Sequence, residues 1–256
     1  MNESERQKER FLAALAGAAA TGEPIRFFWR DDDAVEPTPA LEQLLALFGE
    51  EGAPLSLAVI PEPARPALAQ RLKREPKVAV LQHGFAHRNH ARPGEKKSEF
   101  PASRALAASL GDIEAGWARL ENLFAAPLPV FVPPWNRIAA PVAERLAGLR
   151  FAGLSRYGPS RGVRGERNAH LDIVDWRGTR GFIGREAAFQ RLAEEAEARL
   201  AGDRQPVGIL THHLVHDAEC WEFCAELVRL LAEHPGAAMP AISEIFRLNA
   251  DEGGDG

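Results

Sequence analysis

The stretch IRFFWRDDDA, residues 25–34, decides the fold because a short apolar run leads directly into three carboxylates. Four of its first five residues are β-branched or aromatic, which is the composition of a β-strand. We therefore predict a strand over residues 25–29, followed at its carboxyl end by Asp31, Asp32 and Asp33. In parallel α/β barrels the carboxyl ends of the strands form the face on which active sites lie.

Downstream of this stretch, short apolar runs alternate with helical patterns. We predict strands over residues 55–60, 78–82, 130–132, 151–154, 171–174 and 207–210, and helices over residues 39–50, 63–74, 102–124, 141–149, 185–200 and 218–232. Residues 238–247 are predicted to form a last short βα unit. Strict alternation implies a parallel sheet with right-handed crossovers. The pattern favours a distorted seven- or eight-stranded (β/α) barrel, and a doubly wound open sheet is the alternative.

The length and composition suit one unit of this kind. The chain has 256 residues, of which 45% are hydrophobic, enough for a large core. Barrels of this class often contain about 250 residues in a single domain. We predict one domain over residues 1–256, with an N-terminal helix over residues 1–22 and a disordered tail over residues 249–256.

Charge and hydropathy argue against several classes of partner. The net charge of -5 disfavours a nucleic-acid binder that neutralises phosphates, and also an anionic membrane surface. No stretch approaches the roughly 20 apolar residues that span a bilayer. The mixed charges before residue 11 favour an amphipathic helix over a signal peptide. Cys220 and Cys224 lie four apart on a predicted helix and form no disulfide framework, so we expect a cytoplasmic protein.

Two histidines after the third predicted strand suggest a metal site. His83 and His87 are four residues apart, so one helical turn would place both imidazoles on the same side. A carboxylate from the triplet at residues 31–33 would complete a His-His-Asp set with open positions for water and substrate. Surface histidines and an acidic helix cap are the alternatives, but Thr38 is better placed as that cap. Three adjacent carboxylates also repel one another unless a cation is near.

Other polar residues follow the remaining strands. His212 and His213 end the strand over residues 207–210, and a histidine at a strand end suits general acid chemistry near neutral pH. Trp135 and Trp176 follow two further strands. They either pack in the core or form the wall of a sugar or acyl pocket, and the sequence favours neither.

These segments together resemble the five motifs of the polysaccharide deacetylase family, also called the NodB-homology family and carbohydrate esterase family four. The resemblance covers residues 25–246, and the segments occur in the family's order: Asp31-Asp32-Asp33, His83 to His87, Pro133-Pro134-Trp135, Asp175-Trp176 and Leu210-Thr211-His212. Each motif is weak alone, but five in the right order are a strong signal. The resemblance implies a NodB-like (β/α) barrel and a metal-dependent deacetylase that hydrolyses C–N bonds other than peptide bonds.

The resemblance also implies a ligand set for the metal. Asp33 would bind the ion together with His83 and His87. In the alternative register of the triplet, Asp32 would be the metal ligand and Asp31 the general base. The ion would be Zn²⁺, with Co²⁺, Mn²⁺ or Ni²⁺ as other possibilities.

Four further residues receive roles in catalysis from the same resemblance. Asp32 would be the general base, and His212 the general acid that protonates the departing amine. Asp175 would hydrogen-bond to His212 and keep it protonated. The oxyanion would rest on the metal and on the N–H group of Trp135.

The sequence departs from the family pattern at three places. Val132 stands where the family has an arginine that orients the base, and Arg30 or Arg137 could replace it. His213 replaces an aspartate, and Ala34-Val35 replaces Gly-Pro. The expected substrate is a small N-acetylated sugar, an oligosaccharide or a related amide, and a non-catalytic binding protein or a hydrolase of another acyl bond are the alternatives. The residues expected to contact substrate are Arg30, Pro134, Trp135, Asn136, Arg137 and Trp176.

Overall fold

A computed structural model describes residues 2–248. In this part of the chain the strands are β1 (Ile25–Ala34), β2 (Leu55–Val59), β3 (Val78–His83), β4 (Val130–Val132), β5 (Gly153–Leu154), β6 (Ala169–Asp172), β7 (Val207–Thr211) and β8 (Ala237–Ala238). The helices are α1 (Glu3–Thr21), α2 (Pro39–Glu50), α3 (Pro66–Leu72), α4 (Leu106–Leu123), α5 (Ala140–Ala143), α6 (Arg185–Leu200), α7 (Ala218–Glu233) and α8 (Ile242–Ile245). The predicted tail, residues 249–256, lies outside the described residues. Within residues 2–248 no helix is long and apolar enough to cross a membrane.

The strands form one curled parallel sheet with the order β5-β4-β3-β2-β1-β7-β6, and β8 pairs with the start of β1. The two edges approach each other through isolated bridges, from Leu154 to Glu166 and from Tyr157 to Ala169. The predicted distorted (β/α) barrel is therefore confirmed, and the doubly wound open sheet is not formed. The carboxyl ends of all these strands share one rim, which is the mouth of the barrel.

The alternation of side chains along each strand separates two apolar regions. Phe27 and Trp29 belong to the core between the sheet and the outer helices, where Trp29 packs edge-on against Phe48 of α2 at 5.1 Å. Phe28 points the other way, into the barrel interior, where α8 and the residue after it, Phe246, fill the lower end. The same alternation places Arg30 on the inner side of β1.

Several predicted boundaries differ from the observed ones. The strand predicted over residues 25–29 continues to Ala34, because Asp31 and Asp32 both find buried partners and need not leave the sheet. The helix predicted over residues 141–149 is a short α5 followed by a 3₁₀ turn, Leu146–Leu149. The strand predicted over residues 171–174 ends at Asp172, where the Asp172 carboxylate accepts a hydrogen bond from the N–H of Val174 and turns the chain.

Candidate metal centre

Three side chains converge at the mouth of the barrel. Asp33 lies near the end of β1, His83 is the last residue of β3, and His87 follows in a loop. Their candidate ligand atoms lie within 4.8 Å of one another. His83 Nε2 is 3.2 Å and His87 Nε2 is 3.4 Å from Asp33 Oδ1. The structure thus brings together the three residues that the sequence analysis assigns to a metal.

The hydrogen bonding of these residues fits a cation. His83 Nδ1 lies 3.0 Å from the carbonyl oxygen of Val132, so this nitrogen carries the proton and Nε2 presents its lone pair to the site. Asp33 Oδ1 is buried and has no hydrogen-bond partner among the described residues. Acceptors that face one another with no donor between them are stabilised by a positive ion. Two imidazoles and one carboxylate are also a ligand set of catalytic zinc sites.

The pKa values of these groups follow from their mutual charges. Burial raises the pKa of Asp33, but His83, His87 and His212 together outweigh it and lower that pKa. Burial lowers the pKa of His83, but the carboxylates of Asp32 and Asp33 outweigh it and raise that pKa. Burial and the neighbouring His83 lower the pKa of His87. The lowered pKa values favour an ionised Asp33 carboxylate and a neutral His87 imidazole, the protonation states in which these groups bind metals, whereas the raised pKa of His83 means that a metal would have to displace a proton from its ring.

The two histidines do not share a helical turn, and this prediction is wrong. His87 lies in an irregular loop with φ of 54°, and Gly84 has φ of 58°, so the chain leaves the right-handed helical region at both places. The imidazoles meet because the loop folds back, with ring centroids 5.2 Å apart. Trp135 packs over His87 at 4.3 Å. The glycine that follows His83 was the available sign of this turn.

The candidate base, Asp32, is held by an arginine on its own strand. Arg30 Nε is 2.9 Å from Asp32 Oδ1, and Arg30 Nη2 is 3.1 Å from Asp32 Oδ2. Both side chains point to the inner face, because residues i and i+2 of a strand share a face. The two parallel bonds fix the orientation of the carboxylate. Arg30 thus makes the contact expected from the arginine that Val132 replaces.

The rest of the Arg30 guanidinium reaches across the barrel. Nη1 donates to Ser155 Oγ at 2.7 Å, beyond the end of β5, and Nη2 donates to Asn136 Oδ1 at 2.7 Å. Arg30 is fully buried, so this fork also ties the far side of the barrel to β1. Arg137, the other candidate, is exposed and donates to the carbonyl oxygen of Lys97 at 2.9 Å. Arg137 makes no hydrogen bond to Asp32 among the described residues.

The candidate acid, His212, follows β7, and its Nδ1 is buried without a hydrogen-bond partner among the described residues. The predicted bond from Asp175 to His212 is not formed. The carboxylate of Asp175 instead accepts the N–H groups of the turn that follows it, including that of Gly178 at 2.9 Å. A carboxylate at the start of a tight turn satisfies such amides first.

Asp172 is a second carboxylate, besides Asp33, whose charge interacts with His212, and it was not predicted from the sequence. Burial raises the pKa of Asp172, and the charge of His212 opposes this. Asp172 Oδ2 accepts a 2.8 Å hydrogen bond from Trp176 Nε1, and the Trp176 ring packs edge-on against His212 at 4.7 Å. Asp172 lies three residues before Asp175, inside a predicted strand, and the end of that strand was the signal that could have identified it.

Asp31 does not reach the metal centre. Its carboxylate accepts from Thr211 Oγ1 at 2.7 Å and from the backbone N–H of His213 at 2.9 Å, and it contacts His213 Nδ1 at 2.5 Å. His213 lowers the pKa of Asp31 although burial opposes it, and Asp31 in turn raises the pKa of His213. The pair is a buried ion pair, and Asp33 rather than Asp31 faces His83.

The residues predicted to contact substrate lie around the mouth. Trp176 is 41% exposed and Trp135 is partly exposed, so neither is a core residue. Trp135 and Asn136 are both left-handed, with φ of 54° and 57°. Such strain persists only where the surroundings fix it, and the bond from Arg30 to Asn136 does so here. Pro134 is buried beneath this turn.

Comparison with solved structures identifies proteins of the same fold. A proposed polysaccharide deacetylase from Mycobacterium smegmatis is 14% identical, with a TM-score of 0.65 over 87% of this chain and 89% of that chain. The peptidoglycan deacetylase PdaC from Bacillus subtilis is 15% identical, with a TM-score of 0.56 over 89% and 93%. A family 4 acetyl xylan esterase from Clostridium thermocellum, in complex with a cobalt ion, is 16% identical, with a TM-score of 0.51 over 87% and 91%.

No protein-family model and no curated protein matches the sequence. The structural matches cover nearly the whole length of both partners, so this chain has the fold of the deacetylases. The resemblance predicted from the five motifs is confirmed at the level of that fold.

Proposed function

We propose that this protein is a metal-dependent hydrolase that removes the acetyl group from an N-acetylated sugar or a related small amide. The observation that carries the proposal is the convergence of Asp33, His83 and His87. Beside them, Arg30 fixes the carboxylate of Asp32. The named activities of the structural matches, deacetylation of polysaccharide and peptidoglycan, point to the same chemistry.

Each residue around the metal site takes one part of the reaction. Asp33, His83 and His87 would hold a divalent ion, Zn²⁺ or else Co²⁺, Mn²⁺ or Ni²⁺, which would act as a Lewis acid on the amide carbonyl and lower the pKa of bound water. Asp32 accepts the proton of the attacking water, and Arg30 keeps its carboxylate in the orientation that this transfer needs. The N–H group of Trp135 stabilises the negative charge that develops on the substrate oxygen.

The departing amine needs a proton, because an unprotonated amine anion is a very poor leaving group. His212 donates this proton from the side of the mouth that carries Trp176 and Asp172. The two tryptophans frame the substrate: Trp135 lies beside the metal ligand His87, and Trp176 beside His212. Exposed aromatic faces of this kind suit the apolar faces of a sugar ring or an acyl group.

The test is acetate release from a panel of N-acetylated sugars, oligosaccharides and small acylated amines. We expect a chelator to abolish release and added Zn²⁺ or Co²⁺ to restore it. Asp32→Asn should keep the metal and lose activity, whereas His83→Ala should lose the metal, as measured by elemental analysis. Metal-loaded wild-type protein that releases no acetate from any member of the panel would contradict the proposal.

Ester hydrolysis is a second candidate, because one structural match is an acetyl xylan esterase. An alkoxide leaves far more readily than an amine anion, so His212 matters less for an ester. If the natural substrate is an amide, His212→Asn should reduce amide hydrolysis by about 10²- to 10⁴-fold, the usual contribution of a general acid. Faster turnover of matched acetyl esters by wild-type protein would favour the esterase. The contact between Arg30 and Asp32 weakens the case for a non-catalytic binding protein.

We also propose that the protein acts in the cytoplasm. Cys220 and Cys224 are both free and buried in α7. Burial raises the pKa of the Cys220 thiol to about 12. Thiols in this state are compatible with a reducing compartment. Cell fractionation that recovers the protein in the cytoplasmic fraction would support this location, and recovery outside the cell would contradict it.

A further inference from the structure

A buried carboxylate outside the proposed catalytic set holds the loop that carries His87. Glu99 is fully buried. Its Oε2 accepts the N–H of Phe85 at 3.0 Å, and its Oε1 accepts the N–H of Ala86 at 2.8 Å and that of Arg88 at 3.4 Å. These amides lie on both sides of His87. One side chain therefore fixes the backbone that presents a candidate metal ligand.

The loop has no regular structure that could satisfy these amides in another way. It leaves β3 at Gly84, where φ is 58°, and His87 is left-handed as well. A Cβ atom at Gly84 would lie 2.1 Å from Glu99 Oε2 and 2.5 Å from Pro134 Cγ, so the glycine allows Glu99 to approach. The half-buried N–H groups of Phe85 and Ala86 point at the fully buried carboxylate, and amides shielded from water in this way are costly to leave without an acceptor. The loop therefore depends on Glu99 for this conformation.

The charge of Glu99 also acts on His87. No arginine or lysine among the described residues forms an ion pair with its carboxylate, and Arg104 contacts the backbone carbonyl of Glu99 instead. The negative charge of Glu99 interacts favourably with a positive charge at His87. A buried anion beside a metal ligand stabilises a bound cation through space.

We propose that Glu99 is a positioning residue for the metal centre, which shapes the His87 loop and strengthens cation binding by its charge. The inference rests on the proposed metal site. It assigns Glu99 no contact with substrate or metal, and the residue acts through His87. Outer residues that orient a metal ligand commonly change metal affinity by about 10- to 100-fold when replaced.

The experiment measures the zinc dissociation constant of metal-free protein by competition with a chromophoric chelator. Glu99→Gln keeps the shape of the side chain but removes its charge and turns an N–H₂ group toward backbone donors. We expect its dissociation constant to rise about 10- to 100-fold. Glu62→Gln is the matched control, because Glu62 pairs with the exposed Arg88 of the same loop but is itself partly exposed and accepts none of the three amides. Its zinc dissociation constant should stay within about twofold of the wild-type value, because ion pairs at the surface contribute little.

Glu99→Asp is a second variant that keeps the charge and shortens the reach, and it should bind zinc more weakly than wild type. The absorption bands of bound Co²⁺ should also shift in both Glu99 variants if the geometry of His87 changes. If either variant is folded, binds zinc with wild-type affinity and has an unchanged Co²⁺ spectrum, the role of Glu99 is refuted, but the proposed metal site is not. Absence of zinc binding by wild-type protein would overturn the proposed metal site and the inference together.

Discussion

Replacing Arg30 by lysine isolates the geometric part of its contact with Asp32. Lysine keeps the positive charge inside the barrel but offers a point charge in place of the planar fork. One of the two bonds to Asp32, at 2.9 and 3.1 Å, must be lost. A hydrogen bond to a charged group contributes about 1.5–3 kcal/mol, and about 1.4 kcal/mol corresponds to a tenfold change in rate. We therefore expect kcat/KM for deacetylation to fall about 10- to 100-fold.

The same change also weakens the fold, and this effect has to be measured separately. Ser155 and Asn136 lose the donors that Arg30 provides at 2.7 Å. Each unsatisfied buried group costs about 1–3 kcal/mol, so urea unfolding should show a marked decrease in the free energy of unfolding. The kinetic assay should be run at a temperature well below the thermal midpoint of the variant, and the zinc content should be checked by elemental analysis.

Arg26→Lys is the matched control. Arg26 lies near the start of the same strand, is exposed, and its guanidinium contacts the Arg204 carbonyl. Its replacement should therefore change kcat/KM by less than about twofold and the free energy of unfolding by less than about 0.5 kcal/mol. Wild-type kcat/KM in folded, zinc-loaded Arg30→Lys would contradict the proposed role of Arg30, and so would an equal loss of activity in Arg26→Lys.

Three further predictions concern other parts of the mouth and sheet. Asp31→Asn breaks the buried pair with His213 and should lower the free energy of unfolding by about 3–5 kcal/mol in urea. Trp176→Ala should reduce kcat/KM by about 2- to 10-fold, from an aromatic contact of about 0.5–1.5 kcal/mol with His212, while the thermal midpoint changes little because the ring is 41% exposed. Burial lowers the pKa of His170 to about 4 in the folded protein. As the pH drops from about 6.5 to about 4, the unfolded chain therefore takes up a proton at His170 that the folded chain does not, and the free energy of unfolding decreases. The decrease amounts to roughly 3 kcal/mol, at about 1.36 kcal/mol per unit of pKa shift. Urea unfolding at several pH values should show that His170→Gln removes this part of the pH dependence.

Much of the fold could be predicted because the strands are short apolar runs with clear limits. Six elements lie close to their predicted positions: the strands β2, β3 and β7 and the helices α2, α6 and α7. Errors arise where tertiary partners decide the boundary. β1 runs past its apolar part because Asp31 and Asp32 are paired inside the fold, and no local preference reports such pairing.

The site could be predicted only where the types of residue in the sequence indicate a particular chemistry. Histidines and a carboxylate at strand ends indicate a metal, and the geometry brings His83 and His87 to Asp33. Glu99 was not predicted, because its role depends on a backbone conformation that the sequence does not specify. Asp172 was not predicted, because Asp175 occupies the position that the motif names.

The three adjacent carboxylates at residues 31–33 show how one short stretch can serve three purposes. The pleat of β1 turns Asp31 outward to the end of β7 and Asp32 inward to Arg30. The register between β1 and β2 then shifts beyond Asp31, and Asp33, with φ of 74°, turns toward the histidines.

Like charges as close as these three carboxylates repel one another unless each has a cation. Asp31 has the imidazolium of His213 and Asp32 has the guanidinium of Arg30, both supplied by the chain itself. Asp33 Oδ1 lies 3.2 and 3.4 Å from the Nε2 atoms of His83 and His87, whose charges lower its pKa and whose rings are also suited to bind an ion. A metal at Asp33 would balance the third charge of β1 in the same way, and this argument supports the proposed site without any resemblance to known deacetylases.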